Sequence, residues 1–407
     1  MVRQAVNGHI ASAHPEAVQQ NIYTLIVDGS NLLRICLRDG RINMDGMSYG
    51  GFFQFFIHLK QIMGMRDFDY IYVFWDGDLS GQLRYDLYPM YKANRGKNYN
   101  ESEYDKRLND YVRKVLQHGK DVRNSDSPSR QREEAERERY EREKPLVMKA
   151  LEELFVRQIS VEYVEGDDLM AYYVMNKLPN EKVVILSTDR DLSQLLSDDV
   201  CIYDTLKKKS LSYANHRSVM GYHPDNVVLK KILCGDSSDN IKGVKGVGEA
   251  SLFKFFPEIK DRKVTLEEVI NRAKERIAEI EKENEGKKTK KSQKKPPQML
   301  LNIVNGVSLG MEDGEVYSIN DKIINLRKPL LTEEAIAEMD NLIHKPIDPE
   351  GRDYRNLYAI IRENKMQDLL DTERFSNFFF SFERIAWKEK KRFEEFQNSS
   401  TTVDTSI

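Results

Sequence analysis

The hydrophobic pattern of this chain alternates between two periods. Short runs of β-branched and aromatic residues, bounded by polar turns, predict buried strands. These runs lie at residues 23–27, 70–75, 159–164, 183–186 and 200–203. Segments with apolar residues at helical spacing separate them, for example residues 52–63, 146–155 and 168–178. Strands that alternate with helices predict an α/β fold with a mainly parallel, doubly wound sheet.

The same pattern divides the chain into four parts. Residues 1–20 are polar without a clear period and predict a flexible N-terminal extension. The alternating strands and helices predict an α/β domain over residues 21–220, and helical patterns predict a second domain over residues 221–390. Within the second domain, residues 226–256 have the pattern of a helix-turn-helix. Residues 391–407 are expected to form a C-terminal tail.

Acidic residues follow the ends of the predicted strands. Asp28 comes directly after the first strand and Asp76 after the second, and open α/β sheets bind their ligands at this edge. Further acids stand between a strand and a helix, after the next strand, and before a Gly-rich turn. The carboxylates are Asp28, Asp76, Glu165, Asp167, Asp168, Asp189, Asp191, Asp236 and Asp239. Asp168 could serve as a helix N-cap, but a cap needs one carboxylate and three stand together there.

These converging carboxylates, without matching basic residues, would repel one another. Protonating them would require large pKa shifts, whereas a divalent cation removes the repulsion directly. Hard oxygen ligands without His or Cys favour Mg²⁺ or Mn²⁺ over Zn²⁺. Two such ions, roughly 3.5–4 Å apart, commonly catalyse phosphodiester hydrolysis. The acids therefore predict a metal-dependent nuclease.

Basic residues and tyrosines are interleaved over residues 77–144. That mixture suits phosphates and stacked bases, and the alternative is a solvated amphipathic helix pair. The last part, residues 131–144, is almost entirely Glu and Arg with opposite charges four residues apart. This spacing predicts an exposed helix stabilised by its own ion pairs.

A Gly-rich turn with Gly243, Gly246 and Gly248 connects the two helices of the helix-turn-helix pattern. Glycines let backbone N–H groups approach a phosphate, and the following helix N-terminus adds a favourable dipole. A tight structural turn is the alternative. Residues 287–295 are rich in lysine and predict a mobile insertion or a basic contact loop. The Phe-rich run at residues 375–382 predicts core packing, with a partner-docking site as the alternative.

Composition narrows the class of protein only a little. The formal net charge of -3 does not by itself indicate a nucleic-acid partner. Cys36, Cys201 and Cys234 are far apart and form no Cys-x-x-Cys pair, which argues against a disulfide framework and a thiolate zinc site. No apolar run approaches the roughly 18 residues that cross a bilayer, and nothing near residue 1 has the pattern of a signal peptide. We therefore expect a cytoplasmic protein without a membrane partner.

Five segments match the sequence motifs of a known family and occur in the same order. They are IVDGSN (26–31), YKANR (91–95), VEGDD (164–168), STDRD (187–191) and GDSSDNIKGVKGVG (235–248). Through them the chain resembles the 5′ nucleases. That family includes phage flap endonucleases and 5′-3′ exonucleases, phage ribonuclease H, and the 5′ nuclease domain of bacterial DNA polymerase I.

The resemblance implies a PIN-like sheet with a helical arch over residues 77–144. A helix-three-turn-helix would follow and bind duplex DNA through the phosphates of one strand and a K⁺ ion. The resemblance also implies two Mg²⁺ ions, with Mn²⁺ as a substitute. Ligands of the first ion would be Asp28, Asp76, Glu165, Asp167, Asp168 and Asp189, and ligands of the second would be Asp189, Asp191, Asp236 and Asp239.

Basic residues match the family as well. Lys92 and Arg84 match arch residues that contact the scissile phosphate, and Tyr91 matches an aromatic residue beside them. Ala250 stands where relatives often have Lys or Arg, so binding of the duplex is expected to depend on other lysines. The expected DNA-binding residues are Tyr91, Arg95, Lys242, Gly243, Lys245, Gly246, Gly248 and Lys254.

The activity implied by the resemblance is that of a structure-specific 5′ nuclease. It would act on DNA with 5′ ends or flaps as an exonuclease or flap endonuclease, and as a ribonuclease H on RNA:DNA hybrids. The expected setting is replication, as a monomeric phage protein in the cytoplasm of the infected bacterium, with replication proteins as partners. Two alternatives stay open: a catalytically silent protein that binds branched DNA, and a PIN-type ribonuclease on single-stranded RNA. The complete acids and Lys92 argue against the first, and the Gly-rich helix-turn-helix argues against the second.

Overall fold

The computed structural model describes residues 21–93, 128–285, 293–367 and 378–403. The predicted N-terminal extension and Arg95 lie outside these residues. So do parts of the predicted arch, of the lysine-rich segment and of the Phe-rich run.

A six-stranded sheet forms the centre of the described chain. Its strands are β1 (Ile22–Asp28), β2 (Tyr70–Phe74), β3 (Arg157–Ile159), β4 (Glu181–Leu186), β5 (Val200–Asp204) and β6 (Lys209–Leu211). Their spatial order is β3-β2-β1-β4-β5-β6. The first five are parallel, and β6 pairs antiparallel with β5. The predicted α/β fold with a mainly parallel sheet is therefore confirmed.

Two strands differ from the prediction. The hydrophobic run predicts a strand at residues 159–164, whereas β3 ends at Ile159. Tyr163 has a φ of 65°, which is left-handed backbone outside the β region, and the chain there turns into the next helix. Strand β6 is not predicted, because its three residues, Lys-Ser-Leu, are polar or partly exposed at the sheet edge.

Helices surround the sheet and make up most of the described chain after β6. They are α1 (Gly29–Cys36), α2 (Gly50–Met65), α3 (Gln82–Leu87), α4 (Pro128–Glu153), α5 (Gly166–Met175), α6 (Tyr213–Met220), α7 (Val227–Cys234), α8 (Glu249–Phe255), α9 (Leu266–Asn284), α10 (Gln298–Asn305), α11 (Glu315–Ile324), α12 (Glu333–His344), α13 (Asn356–Glu363) and α14 (Glu383–Val403). The predicted C-terminal tail is thus helical as far as Val403. Within the described ranges, no helix has the length and apolar character needed to cross a membrane.

Two apolar cores flank the sheet, and the C-terminal helices contribute to both. One core combines residues of α1, α2 and α4 with Leu357, Phe379 and Phe382. The other combines residues of α5 with Ala335 and Met339 of α12. Phe379 and Phe382 are buried, which confirms core packing for this part of the Phe-rich run. The domain boundary at residue 220 stays a prediction, and helix α12 beyond it contacts strand β3 of the sheet.

Helix α4 leads from the arch segment to the sheet. Its exposed part contains a predicted ion pair, since Arg137 contacts Glu141 at 2.7 Å. Closer to the sheet, Glu143 is fully buried, and its Oε2 accepts a hydrogen bond from the backbone N–H of Phe52 at 2.7 Å. The expectation that residues 131–144 form an exposed helix is therefore wrong at Glu143. Its carboxylate satisfies an N–H group in the first turn of α2, which has no capping side chain of its own.

The predicted helix-turn-helix consists of α7, a short antiparallel pairing of Gly235–Asp236 with Ile241–Lys242, a turn, and α8. A third apolar core lies beneath it and includes Leu233, Val244 and Val247. The valines of the Gly-rich turn therefore anchor that turn to the helices.

Candidate active site

The carboxyl ends of β1 and β4 lie side by side, at the point where the strand order changes direction. Asp28 is the last residue of β1, and Asp189 follows the end of β4 at Leu186. Asp76 follows β2, the neighbour of β1 on the other side. Ligands of open α/β sheets usually bind in the crevice at such a position. The fold therefore brings together acids that are far apart in the sequence.

Hydrogen bonds connect the ends of β1 and β4. The Asp28 carboxylate accepts hydrogen bonds from the backbone N–H of Asn31 at 3.0 Å and from the Ser187 hydroxyl at 2.8 Å. The Ser187 Oγ also accepts the N–H of Asp189 at 3.0 Å. One serine thus fixes the spacing between two of the predicted metal ligands.

The loop after β2 is tied to the start of α5. Asp76 Oδ1 accepts the backbone N–H of Gly166 at 2.9 Å. Gly166 stands between Glu165 and Asp167, so this bond brings their segment to the same edge of the sheet.

Two carboxylates at this edge, Asp28 and Asp167, have raised pKa values. Burial, and then the charges of Asp76 and Asp189, raise the pKa of Asp28 to about 7. Burial and the charges of Asp189 and Asp28 raise the pKa of Asp167 well above its usual range. Within the described residues, the basic side chains at this edge form ion pairs with other acids, namely Glu165, Asp168, Asp191 and Asp236. Repulsion among the acids without an ion pair in the described chain, Asp28, Asp76, Asp167 and Asp189, is relieved by protonation or by an added cation.

Asp191, Asp236 and Asp239 form a second group. Each offers one carboxylate oxygen, and these oxygens all lie within 4.8 Å of one another. Among the residues that the structure describes, this is the one cluster of three or more His, Cys, Asp or Glu side chains with that spacing. Asp189 joins this group to the first, because its Oδ1 accepts the N–H of Asp191 at 2.8 Å.

A lysine of α7 lies within the second group. Lys231 Nζ is 2.6 Å from Asp236 Oδ2 and also contacts Asp191 Oδ1. Burial favours the neutral amine, but Asp191 and Asp236 outweigh it and raise the pKa of Lys231 well above its usual range. Burial also opposes ionisation of Asp236, but Lys231 lowers the pKa of Asp236 to about 2. Lys231 is absent from the sequence-predicted site, because Lys230 and Lys231 are adjacent and the sequence does not distinguish them.

Glu165 is held by the three residues that match the arch. Its Oε1 is 2.6 Å from Lys92 Nζ, and its Oε2 is 2.7 Å from Arg84 Nη1. The Tyr91 hydroxyl donates to Oε2 at 2.9 Å. Burial opposes ionisation of this carboxyl, but Arg84 and Lys92 outweigh it and lower the pKa of Glu165 to about 2. Glu165 is therefore ionised and already oriented by protein groups.

Arg84 and Asp168 form a buried ion pair, with exposed fractions of 6% and 1%. Arg84 Nη1 and Nη2 lie 2.5 and 3.0 Å from the two carboxylate oxygens. Arg84 Nε donates to the carbonyl of Ile323 at 2.9 Å, and Asp168 Oδ1 accepts the N–H of Leu330 at 3.0 Å. This geometry argues against a phosphate contact for Arg84 and a metal-ligand role for Asp168, because each side chain already has partners within the protein.

Lys92 lies between the two groups of acids. Its φ is 52°, and its backbone N–H donates to the carbonyl of Asp239 at 2.8 Å. Its ammonium contacts Glu165 and lies 4.7 Å from the centre of the Tyr91 ring. The Lys92 side chain is 15% exposed, so it can still reach a ligand in the crevice.

Different physical causes account for the glycines of the Gly-rich turn. A Cβ at Gly243 would lie 2.3 Å from backbone atoms of the preceding helix and hairpin, so the tight-turn alternative explains this glycine. Gly246 has a φ of +80°, a conformation that favours glycine. A Cβ at Gly248 would meet nothing within 4 Å, so the space beside it is open. The exposed members of the predicted DNA-binding set are Lys245, Gly246, Gly248 and Lys254, and the partly buried ones are Lys242 and Gly243. Tyr91 is buried, at 3% exposed, which argues against a direct DNA contact, and Arg95 lies outside the described residues.

The donor set of the two groups fits a hard divalent cation. All candidate ligands within the described residues are carboxylate oxygens, which suit Mg²⁺ or Mn²⁺ better than Zn²⁺. The raised pKa values of Asp28 and Asp167 also indicate an excess of negative charge that such a cation would neutralise.

The chain is similar to known proteins in sequence. The family model described as 5′-3′ exonuclease, N-terminal resolvase-like domain, matches residues 23–227. A 5′-3′ exonuclease of Buchnera aphidicola subsp. Schizaphis graminum is 33% identical over 129 residues, which are 30% of this chain and 44% of that protein. A 5′-3′ exonuclease of Halalkalibacterium halodurans is 40% identical over 105 residues, which are 25% of this chain and 35% of that protein. The matched regions thus span less than half of these relatives.

A solved structure of the D15 protein of T5, co-crystallised with metal ions, is also similar. It is 16% identical, with a TM-score of 0.49, and the match covers 83% of this chain and 99% of that one.

Proposed function

The chain belongs to the family of the 5′-3′ exonuclease N-terminal resolvase-like domain, and from this premise we propose that it is a metal-dependent 5′ nuclease that hydrolyses phosphodiesters in DNA. The observation that carries the proposal is the bond between Asp189 and Asp191, which joins two groups of carboxylates at the switch point of the sheet.

Two Mg²⁺ ions, with Mn²⁺ as a substitute, are the proposed cofactors. Asp28, Asp76, Glu165, Asp167 and Asp189 would hold the first, and Asp189, Asp191, Asp236 and Asp239 the second. When bound, such a pair of cations activates a water molecule and stabilises charge on the attacking and leaving oxygens. Asp168 is left out of the ligand set, because its side chain is only 1% exposed and its oxygens already bond Arg84 and the N–H of Leu330. Glu165 is kept because its side chain is 10% exposed, although Arg84 and Lys92 also contact it.

Lys92 is the proposed catalytic residue of the protein itself. Its ammonium is anchored to Glu165 and stacked near Tyr91, so its position relative to the acids is fixed. A scissile phosphate in the crevice would accept a charge-assisted hydrogen bond from Lys92, and this bond would strengthen as negative charge develops in the transition state. Arg84 would act on the phosphate only through Glu165 and is therefore a positioning residue.

Duplex DNA would bind over the helix-turn-helix. Lys245 and Lys254 are exposed, and the space at Gly248 of the same segment is open, which supports phosphate contacts there. Lys242, Gly243 and Gly246 would shape this surface, and a K⁺ ion would assist phosphate binding at the turn. Arg95 is proposed as a further DNA contact, whereas Tyr91 is buried and would act through Glu165. DNA with 5′ ends or flaps is the proposed substrate, and RNA:DNA hybrids would be a second substrate. A monomeric phage enzyme that works with replication proteins is the setting that the sequence motifs favour.

Cleavage of a 5′-labelled flap duplex tests the proposal. The reaction is run with Mg²⁺ and with chelator, beside nicked duplex, RNA:DNA hybrid and single-stranded RNA. We expect metal-dependent cutting near the flap junction. Tight binding to the flap without cutting in Mg²⁺ or Mn²⁺ would favour the silent branched-DNA binder. Cutting confined to single-stranded RNA would instead favour a PIN-type ribonuclease.

A further inference from the structure

Lys231 is a cation of the protein that lies at the proposed second cation position. It belongs to the last turn of α7, and its ammonium contacts carboxylates from two other segments. Asp191 begins a 3-10 helix after β4, and Asp236 lies in the hairpin after α7. The same two acids, with Asp239, form the set whose oxygens lie within 4.8 Å of one another. One Lys231 ammonium thus bridges two of the three candidate ligands.

The neighbouring lysine of α7 has a different role. Lys230 Nζ lies 2.8 Å from Glu249 and 4.9 Å from the centre of the Tyr222 ring. The side chains of Lys230 and Lys231 have similar exposed fractions, 19% and 13%. The contact with the acidic cluster is therefore specific to Lys231, and Lys230 provides a matched control.

We propose that the Lys231 ammonium competes with the second divalent cation for the carboxylates of Asp191 and Asp236, so that this cation binds only when the lysine side chain moves away. The inference rests on the proposed function for the identity of the second site. The physical basis is general, because one carboxylate oxygen cannot make full contact with both an ammonium and a metal ion. The lysine must give up its contacts before the metal can use them.

Two consequences follow for the loading of the site. In the first group, Glu165 is paired with Arg84 and Lys92, but Asp28 and Asp167 have no ion pair among the described residues. A cation at Asp28 and Asp167 displaces no lysine, so we expect it to bind at lower concentration than the cation of the second group. At low cation concentration the Lys231 ammonium also balances the charges of Asp191 and Asp236. Because it contacts both acids, it holds the hairpin after α7 against the segment after β4. Lys231 would therefore set the concentration of divalent cation at which the second site fills.

Binding of Mn²⁺ alone, in the absence of DNA, tests this inference. Free Mn²⁺ is counted by electron paramagnetic resonance while Mn²⁺ is added to the full chain and to the variants Lys231→Met, Lys231→Arg and Lys230→Met. We expect Lys231→Met to bind the weaker of two ions roughly 5- to 100-fold more tightly, which is the usual range for coupling between two competing groups. Lys231→Arg keeps the competing charge and should bind no more tightly than the unaltered chain, and Lys230→Met should be unchanged.

A second variant assigns the effect to this site. When Asp236→Asn is combined with Lys231→Met, the gain in affinity should disappear. Unchanged or weaker Mn²⁺ binding by Lys231→Met would overturn the inference and make Lys231 a residue that only orders the acids. If Lys231→Met does not fold, Lys231→Gln takes its place, with the same expected and overturning results.

The melting temperature provides an independent readout. In chelator, Lys231→Met should melt below Lys230→Met, because Asp191 and Asp236 then lack their cation, and added Mn²⁺ should raise its melting temperature more. These measurements need no nuclease activity. Absence of flap cleavage by the unaltered chain would overturn the proposed function, whereas unchanged Mn²⁺ affinity in an active enzyme would overturn the competition alone.

Discussion

Asp28 and Asp236 belong to the same acidic cluster, yet the pKa of Asp28 is raised to about 7 and that of Asp236 is lowered to about 2. Burial raises the pKa of both. The difference is that Asp236 contacts Lys231, whereas Asp28 has the neighbouring carboxylates Asp76 and Asp189 and two hydrogen-bond donors. Asp28 and Asp236 therefore balance their negative charge by different means. Asp191 lies between these extremes, because burial raises its pKa although it also contacts Lys231.

This difference separates acids whose charge the protein neutralises from acids that require an added cation. Glu165 resembles Asp236, because Arg84 and Lys92 hold it in the ionised form. Asp167 resembles Asp28, since its burial and the nearby carboxylates favour protonation. A divalent cation should therefore gain most from the Asp28 half, where it removes repulsion without displacing a protein cation.

Asp189 is the residue through which the two halves meet, and its loss should have the largest effect. We expect Asp189→Asn to reduce turnover on a 5′ flap by roughly a thousandfold or more, as when a central electrostatic group of an active site is removed. The melting temperature should not fall, because the substitution removes a repelling charge. Asp198→Asn, at an exposed aspartate nearby, is the control. Full activity of Asp189→Asn would rule out a cation shared between the halves.

Arg84→Met tests whether Arg84 supports the structure rather than the substrate. It leaves the buried Asp168 carboxylate without its ion-pair partner, so the free energy of unfolding in urea should fall by about 3–5 kcal/mol. The double variant Arg84→Met with Asp168→Leu should recover much of that loss, because no buried charge is then left unpaired. A large loss of activity at unchanged stability would instead restore the predicted phosphate contact.

Lys92→Ala distinguishes a catalytic contact from a DNA-binding contact. We expect turnover to fall roughly a hundredfold, because the charge-assisted bond strengthens in the transition state. Affinity for the flap, measured by fluorescence anisotropy, should fall much less. Lys208→Ala is a matched control, since Lys208 is exposed and has the same φ of 52° as Lys92. Equal losses of turnover and affinity would make Lys92 a DNA-binding residue.

The pH dependence of stability gives the smallest expected effect. Between the usual pKa of 3.8 and the raised value of about 7, folded Asp28 keeps a proton that the unfolded chain has lost. The stability contributed by this carboxyl is therefore fully present at low pH and is lost as the pH rises through about 7. In chelator, the melting temperature of the unaltered chain should fall relative to Asp28→Asn between pH 5 and pH 8, on the order of 2 °C. A constant difference across this range would contradict the raised pKa.

The edge of the sheet at which the acids meet could be predicted, because each acid lies within a few residues of the end of its strand in the sequence. A short apolar run predicts each strand, and Asp28, Asp76 or Asp189 stands at or shortly after the end of that strand. Parallel strands then align their carboxyl ends without further information. The helix-turn-helix could be predicted for the same reason, since its glycines and valines lie within a single segment.

Pairings between distant residues could not be predicted. Arg84 and Asp168 are 84 residues apart and Lys231 and Asp191 are 40 apart, and no periodicity connects residues at such separations. Both members of the Arg84–Asp168 pair also match family motifs, so the sequence favours a role at the substrate for each. The sequence also does not predict that Gly243 is partly buried. Its close contacts are with backbone atoms, which leave no side-chain pattern in the sequence.

The Arg84–Asp168 pair also constrains which insertions and truncations the fold can accept. Leu330 donates its backbone N–H to the Asp168 carboxylate, so the chain returns to this carboxylate 162 residues after Asp168. The two ends of the intervening segment, Asp168 and Leu330, are therefore held together by this bond. An insertion near α9 would leave this contact in place. A truncation before Ile323 would instead remove both backbone partners of the pair, the carbonyl of Ile323 and the N–H of Leu330.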